Sequence, residues 1–123
     1  AERMASPTTA TSPNAVTFYS AWFCPFAQRV WIALEAKEVD YQWVECELYE
    51  GERSGSSKVA LSLEEKRRRT PGFIECCPRG LVPGIEYQGH KLYESLALTE
   101  FVDESFDGPP LMPSTPAGRA RVK

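Results

Sequence analysis

The sequence predicts an α/β fold with a four-stranded mixed sheet and helices on both faces, in the order β-α-β and then β-β-α. Residues 16–22 form an apolar run, helical periodicity follows over 25–34, and 41–48 then alternates as a strand does. A strand, a helix and a strand at this spacing imply a right-handed parallel crossover. Two further strand-like segments flank Gln88 and Gly89, so a hairpin adds antiparallel strands to the sheet.

The composition fits one globular domain. Of the 123 residues, 42% are hydrophobic and 11% aromatic, which is enough to build a core. A net charge of −3 argues against a nucleic-acid partner, since phosphate binding favours a basic surface. No apolar run approaches the ~18 residues of a membrane span, and no charged-then-apolar signal peptide opens the chain. Four cysteines without a framework-like spacing fit a reducing compartment, so we expect a cytoplasmic protein with neither a membrane nor a metal partner.

The first strand is predicted over Val16 to Trp22, and the helix after it begins near Pro25. Apolar residues recur along this helix at helical spacing and form one stripe, made of Phe26, Ala27, Val30, Trp31 and Leu34. The pattern fades over 36–38, without the glycine that often caps a helix. In the next strand, 41–48, the alternation places Cys46 on the core-facing side.

A polar segment, 51–72, follows the second strand. Ser62 and Glu65, three residues apart, form a capping-box pattern that opens a short charged helix through Arg69. The basic run 66–69 within it is typical of a solvated helix face.

The hairpin is predicted from strands 84–87 and 90–93, with Gly89 supplying the positive φ of the turn. Glu94 and Ser95 then begin a helix that turns four apolar residues to the core: Leu98, Phe101, Val102 and Phe106. His90, the single histidine, adjoins the turn, and we expect an exposed strand residue there rather than a ligand or a base.

The chain divides into three parts. Residues 1–15 are rich in Ala, Ser, Thr and Pro and are expected to form a disordered tail. Residues 16–108 form the folded domain. Residues 109–123 combine a proline-rich interdomain linker with the truncated start of a further helical domain.

Cys24 is the candidate catalytic residue, because it lies where the first strand meets the first helix. Backbone N–H groups without intrahelical partners and the positive end of the helix dipole favour the thiolate there. Pro25 supports the helix start, since proline suits the first turn. A cysteine in an apolar stretch is more often an inert core residue, but this junction favours the reactive alternative.

A monothiol mechanism follows from the residues around Cys24. Thioredoxin-type dithiols use Cys-x-x-Cys, and the second position here is Ala27. The resolving thiol is then most simply an external small molecule, which reduces a mixed disulfide formed on Cys24. Cys76 and Cys77 are expected to be two free thiols rather than a vicinal disulfide.

Three motifs in this order carry a resemblance to a known family: Phe23-Cys24-Pro25-Phe26-Ala27-Gln28-Arg29, Pro78-Arg79-Gly80-Leu81-Val82-Pro83 and Tyr93-Glu94-Ser95. The chain resembles the thioredoxin-like N-terminal domain of glutathione transferases. It is most similar to the omega class and its relatives, in which cysteine replaces the usual tyrosine or serine. The long polar segment and the Pro78-Arg79-Gly80-Leu81-Val82-Pro83 run also look similar to the tandem-domain thiol-dependent reductases of trypanosomatid parasites.

The resemblance implies a glutathione site. The Val82-Pro83 peptide bond is expected to be cis, which leaves the Val82 backbone free to pair with a peptide-like thiol. Glu94 and Ser95 are expected to hold the γ-glutamyl end of glutathione at a helix N-terminus. The alternative for Ser95 is an ordinary N-cap, a role that can coexist with ligand binding. Phe26 is expected to contribute to the same binding site.

The chain departs from the omega pattern near Glu75, where those enzymes carry a lysine that neutralises the glycine carboxylate of glutathione. Either Arg79 or the basic run 66–69 supplies the charge, or the preferred thiol lacks that carboxylate. Trypanothione, two glutathiones amidated to spermidine, is such a thiol. The segment 51–72 is also longer than the usual connection in the family.

The function implied is that of a glutathione-dependent or trypanothione-dependent thiol transferase and reductase, acting on small-molecule thiols and disulfides. Deglutathionylation and dehydroascorbate reduction are the expected reactions, through a mixed disulfide on Cys24. Two alternatives are a chloride-intracellular-channel-like protein, against which Glu94 and Ser95 argue, and a non-catalytic transferase-like interaction module, against which Cys24 argues. The C-terminal helical domain of the family is missing here, and the full-length protein is expected to be a dimer or a tandem-domain chain.

Overall fold

A computed structural model describes residues 15–50 and 59–122, so the predicted tail lies, apart from Ala15, outside the described residues. The helices are α1 (Pro25–Ala36), α2 (Leu63–Arg69), α3 (Pro71–Cys76), α4 (Ser95–Ser105) and α5 (Pro116–Val122). The strands are β1 (Val16–Ser20), β2 (Tyr41–Glu45), β3 (Tyr49–Glu50), β4 (Val59–Ala60), β5 (Gly84–Tyr87) and β6 (His90–Tyr93).

The predicted four-stranded mixed sheet is confirmed, with strand order β2-β1-β5-β6. The outer strand β2 runs parallel to β1, with Phe18 opposite Trp43, so the β1-α1-β2 unit is the expected crossover. Strands β5 and β6 are antiparallel neighbours joined at the Gln88-Gly89 turn. A small second sheet of β3 and β4, which the sequence pattern did not indicate, pairs Tyr49 with Ala60.

Two buried clusters fill the two faces of the sheet. Phe18 of β1 belongs to the first, together with residues of α1 and α4 such as Leu34 and Leu98. Tyr19, the next residue of the strand, belongs to the second, with Phe73 of α3. Because successive side chains of a strand point to opposite faces, helices cover both sides of the sheet as predicted.

Both early strands are shorter than predicted. β1 ends at Ser20 instead of Trp22, because the chain turns: the Cys24 N–H donates to the Ala21 carbonyl at 2.9 Å. β2 ends at Glu45 instead of Leu48. Cys46 is nevertheless buried, as its place in the alternation predicted.

The expectation of a solvated face over the basic run 66–69 was wrong for two of its four residues. Lys66 is buried and its ammonium donates to the Gly80 carbonyl at 2.7 Å. Arg69 is three-quarters buried and forms ion pairs with three carboxylates, those of Glu47, Glu50 and Glu65. The capping pattern is present, since the Ser62 hydroxyl accepts from the Glu65 N–H at 3.1 Å.

Candidate active site

Cys24 occupies the N-cap position of α1, with an extended backbone at φ −84° and ψ 118°. Pro25 is the first helical residue, and the Gln28 N–H donates to the Cys24 carbonyl at 3.0 Å, which closes the first turn. The side chain of Cys24 is partly buried and makes no capping hydrogen bond. The residue thus occupies the end of α1 at which the first N–H groups lack intrahelical partners.

The turn before Cys24 is held by two side chains that sequence reasoning had given no role. Both carboxylate oxygens of Glu45 accept from the Trp22 N–H at 3.3 Å. The Gln28 side-chain amide donates to the Trp22 carbonyl at 3.2 Å. The Trp22 backbone is therefore fixed from both sides, which fixes the approach of the chain to Cys24.

A cavity of about 380 Å³ lies beside the start of α1. It brings together the six residues predicted for binding with five others, and its lining is Phe26, Arg29, Cys77, Arg79, Leu81, Val82, Pro83, Tyr93, Glu94, Ser95 and Leu96. Cys24 is not a lining residue. It lies two residues before Phe26 and packs against the buried cluster that contains Val82.

The loop 78–83 contributes four residues to the cavity lining, which are Arg79, Leu81, Val82 and Pro83. The Val82-Pro83 peptide bond is cis, as predicted. Val82 and Pro83 are buried, whereas Leu81 is exposed beside them. Gly80 adopts a φ of +70°, a conformation that glycine accepts without steric cost.

Glu94 has a φ of +85°, which is uncommon for a residue with a side chain. It occupies the N-cap position of α4, and Ser95 is the first helical residue. The alternative of an ordinary N-cap at Ser95 is therefore wrong. Ser95 begins a helix of 11 residues and lines the cavity, and the free N–H groups of a helix N-terminus suit a carboxylate.

The charged groups of the cavity are two arginines and one glutamate. The Arg79 guanidinium lies 3.3 Å from the Glu94 carboxylate, and both side chains are exposed. Arg29 lies over the Phe26 ring at 5.4 Å and forms no ion pair with any residue that the structure describes. Glu75 is exposed and is not part of the lining. The cavity therefore favours an anionic ligand.

Sequence reasoning assigned no cavity role to the five further lining residues, which are Arg29, Cys77, Leu81, Tyr93 and Leu96. Arg29 follows Phe26 by three positions in α1, so helical spacing already places the two on one face. Cys77 carries no such signal, because tertiary packing rather than a local pattern brings it to the cavity lining. A hydrogen bond with Cys76, and then burial, raise the pKa of the Cys77 thiol, whereas burial is the main cause of the raised pKa of the Cys46 thiol. All four cysteines are free thiols, and Cys24 is the most accessible of them.

Comparison with known proteins identifies the class. The family model for the glutathione S-transferase N-terminal domain matches residues 23–105. Glutathione S-transferase omega-1 of Sus scrofa is 32% identical over 109 residues, which covers 88% of this chain and 38% of that protein. The structure of glutathione transferase Omega 3C from Trametes versicolor matches at 36% identity with a TM-score of 0.64, covering 90% of this chain and 43% of that one. A maleylacetoacetate isomerase from Methylobacterium extorquens AM1, solved with bound malonate and GSH, matches at 30% identity with a TM-score of 0.62, covering 85% and 42%.

The chain belongs to the glutathione S-transferase N-terminal domain family, and its fold is the thioredoxin-like fold of that domain. Omega-class relatives match over most of its length. The chain spans less than half the length of each of these three relatives. None of the helices within 15–50 and 59–122 is long and apolar enough to cross a membrane. In the same residues, no three His, Cys, Asp or Glu side chains are grouped to hold a metal ion.

Proposed function

We propose that this domain is the thiol-binding and catalytic half of an omega-like glutathione-dependent thiol transferase, with Cys24 as the nucleophile. The observation that carries the proposal is the position of Cys24 at the N-terminus of α1, beside a cavity lined by Val82, Glu94 and Ser95. Glutathione is the co-substrate, with its γ-glutamyl carboxylate at Ser95 and its peptide backbone along Val82. Phe26 forms a wall of the site.

The reaction begins when the Cys24 thiolate attacks the glutathionyl sulfur of a mixed disulfide between glutathione and a substrate thiol. A Cys24–glutathione disulfide forms, and the substrate leaves as a thiolate that takes a proton from water. A second glutathione thiolate attacks the glutathionyl sulfur. Oxidised glutathione is released and the Cys24 thiolate is restored, so each turnover converts one mixed disulfide and one reduced glutathione into the free substrate thiol and one oxidised glutathione.

The charge of the cavity favours glutathione over trypanothione as co-substrate. The charge argument for trypanothione depended on repulsion of a glycine carboxylate by Glu75, and that side chain lies outside the cavity lining. The side chains that line it include Arg29 and Arg79. Both attract an anionic ligand and repel the cationic spermidine bridge.

The whole protein is proposed to be cytoplasmic, to reduce mixed disulfides and dehydroascorbate, and to carry a C-terminal helical domain. The domain boundary is proposed at 108–109. The coverage of the relatives supports this arrangement, since this chain aligns with less than half of each. A dimer or a tandem-domain chain is proposed for the full-length protein.

The test is the mass of the chain after incubation with oxidised glutathione. We expect one glutathionyl group per chain, mapped to the peptide that contains Cys24 and removed by reduced glutathione. A Cys24→Ser variant is expected to remain unmodified while keeping the circular dichroism of the wild type. Modification at Cys46, Cys76 or Cys77 instead, or none at all, would contradict the proposal. Unmodified wild type would favour the interaction-module alternative.

A further inference from the structure

Lys66 has no role in the proposed reaction, yet it is buried with 8% of its surface exposed. Its ammonium donates to the Gly80 carbonyl at 2.7 Å, 14 residues along the chain. No carboxylate pairs with it among the residues that the structure describes. Burial of a charge that no opposite charge compensates costs stability and lowers the pKa of Lys66. A methionine in place of Lys66 would avoid that cost but could not donate to the Gly80 carbonyl. The hydrogen bond to Gly80 is therefore the feature that requires an explanation.

The contact with Lys66 requires a residue without a side chain at position 80. A Cβ atom at Gly80 would lie 2.6 Å from the Leu63 side chain and 3.1 Å from Cδ of Lys66. The φ of +70° at Gly80 independently favours glycine. Helix α2 therefore packs directly on the backbone of the loop 78–83, with Leu63 and Lys66 as the contacting side chains.

Helix α2 is itself fastened to the rest of the domain. Arg69 joins it to the carboxylates of Glu47, just before β3, and of Glu50, within β3. The Leu61 N–H, just before the helix, donates to the Leu48 carbonyl at 2.9 Å. Helix α2, which carries Lys66, thus has contacts with the rest of the domain besides the one with the loop.

The Lys66 contact at Gly80 lies two residues before Val82, whose backbone is proposed to bind the ligand. The loop 78–83 carries the Gly80 carbonyl, the exposed Leu81 side chain and Val82, and the last two line the cavity. If the ammonium is removed, a buried carbonyl loses its charged donor, and the loop must move to hydrate it. Such a movement displaces the Val82 N–H and C=O groups.

We propose that Lys66 is a positioning residue, which holds the loop 78–83 in the conformation that binds the backbone of the thiol co-substrate. The identity of the ligand in this inference rests on the proposed function. The claim that Lys66 holds the loop rests only on its contact with Gly80. Helix α2 belongs to the long polar segment that sets this chain apart in sequence. The proposal gives α2 a role, which is to order the loop 78–83 that contributes to the cavity lining.

The experiment compares Lys66→Met with Arg67→Met, which removes the same charge from the neighbouring, exposed position on α2. Hydrogen exchange is measured first, without ligand, on peptides covering 78–84 and on peptides of β1 as an internal reference. We expect Lys66→Met to accelerate exchange in 78–84 alone by about tenfold, and Arg67→Met to leave it unchanged.

Two further measurements separate positioning from general stability. Calorimetry with the non-reacting analogue S-methyl glutathione is expected to show affinity reduced about tenfold in Lys66→Met and unchanged in Arg67→Met. The alkylation rate of Cys24 is expected to be the same in all three proteins, since the Lys66 ammonium bonds to Gly80, which lies outside α1. A variant that merely unfolds would change both the affinity for S-methyl glutathione and the alkylation rate of Cys24.

Unchanged exchange in 78–84 of Lys66→Met would overturn the inference, as would weakened affinity accompanied by an equal change in Cys24 alkylation. A wild-type chain that does not bind the analogue would overturn the proposed function and the ligand part of the inference. The hydrogen-exchange comparison would then still decide whether Lys66 holds the loop.

Discussion

The Lys37 ammonium lies 3.1 Å from a carboxylate oxygen of Asp103, with only 3% and 12% of the two side chains exposed. Lys37 caps the end of α1, and Asp103 lies in α4, so the pair joins the two helices on one face of the sheet. The second role of Asp103 is to accept from the Leu111 N–H at 2.8 Å. The Asp103 carboxylate thus links α1 to α4 and also holds the segment that follows α4.

We expect Lys37→Met to lower the free energy of unfolding by about 3 kcal/mol, because it leaves Asp103 partly desolvated without its cation. Adding Asp103→Asn should recover part of this loss, since the amide oxygen still accepts from Leu111 and no buried charge remains. Urea unfolding of the wild type, the two single variants and the double variant gives the coupling free energy. Additive losses would mean that the two side chains do not interact.

The same pair predicts a loss of stability in acid. The hydrogen bond from the Leu111 N–H, and then Lys37, lower the pKa of Asp103 below its ordinary value. A lowered pKa in the folded state contributes stability above the unfolded pKa of ~3.9, and this is lost as the pH falls through the folded value. Unfolding free energies measured from neutral pH downward should therefore fall less steeply in Asp103→Asn than in the wild type. Parallel curves would contradict the assignment.

Cys24 is predicted to be alkylated at least about tenfold faster than the other cysteines at mildly acidic pH. It is partly exposed at a helix N-terminus, whereas Cys46, Cys76 and Cys77 are buried. Iodoacetamide labelling followed by peptide mapping measures this directly. In urea all four cysteines should react alike, which shows that the fold causes the selectivity. Fast labelling of another cysteine in the folded chain would identify a different nucleophile.

Local sequence patterns were enough to predict most of the fold. Strand β1, helix α1 and the hairpin each carry their own periodicity or turn residues, and Cys24 with Pro25 marks a helix start by residue type alone. The same holds for Ser62, whose hydroxyl caps α2 as its spacing to Glu65 predicted. These features depend on neighbours within a few positions, and therefore the sequence displays them.

Features that depend on distant contacts could not be predicted in this way. Helix α3 has only six residues, too few to show a period, and its burial comes from packing under β1 and β5. The burial of Lys66 depends on the Gly80 carbonyl, which the local run of charges does not reveal. Whether Arg29 or Glu75 faces the cavity is likewise decided by how α1 and α3 pack on the sheet.

Ser95 is predicted to contribute to glutathione affinity through a hydrogen bond to the γ-glutamyl carboxylate. Hydrogen bonds to charged groups contribute about 1.5–3 kcal/mol, so Ser95→Ala should weaken binding about tenfold or more. Ser105→Ala, an exposed substitution at the other end of α4, is the matched control and should change nothing. Calorimetry with S-methyl glutathione measures both. Equal affinities for wild type and Ser95→Ala would remove Ser95 from the site.

Arg29 is predicted to raise the affinity for an anionic thiol ligand. Its guanidinium lines the cavity without an acidic partner among the described residues, whereas Arg79 shares its charge with Glu94. Exposed charge pairs contribute about 0–1 kcal/mol, so Arg29→Gln should weaken binding of S-methyl glutathione up to about fivefold at low salt, and less at high salt.

Glu75→Lys provides the contrast, because it changes the charge by two on α3 but outside the cavity lining. We expect it to alter affinity less than Arg29→Gln does, and to leave the ratio of glutathione to trypanothione turnover in the full-length enzyme unchanged. If Glu75→Lys instead strengthens glutathione binding more than Arg29→Gln weakens it, then Glu75 faces the ligand after all. The charge argument for trypanothione would then replace the one for glutathione.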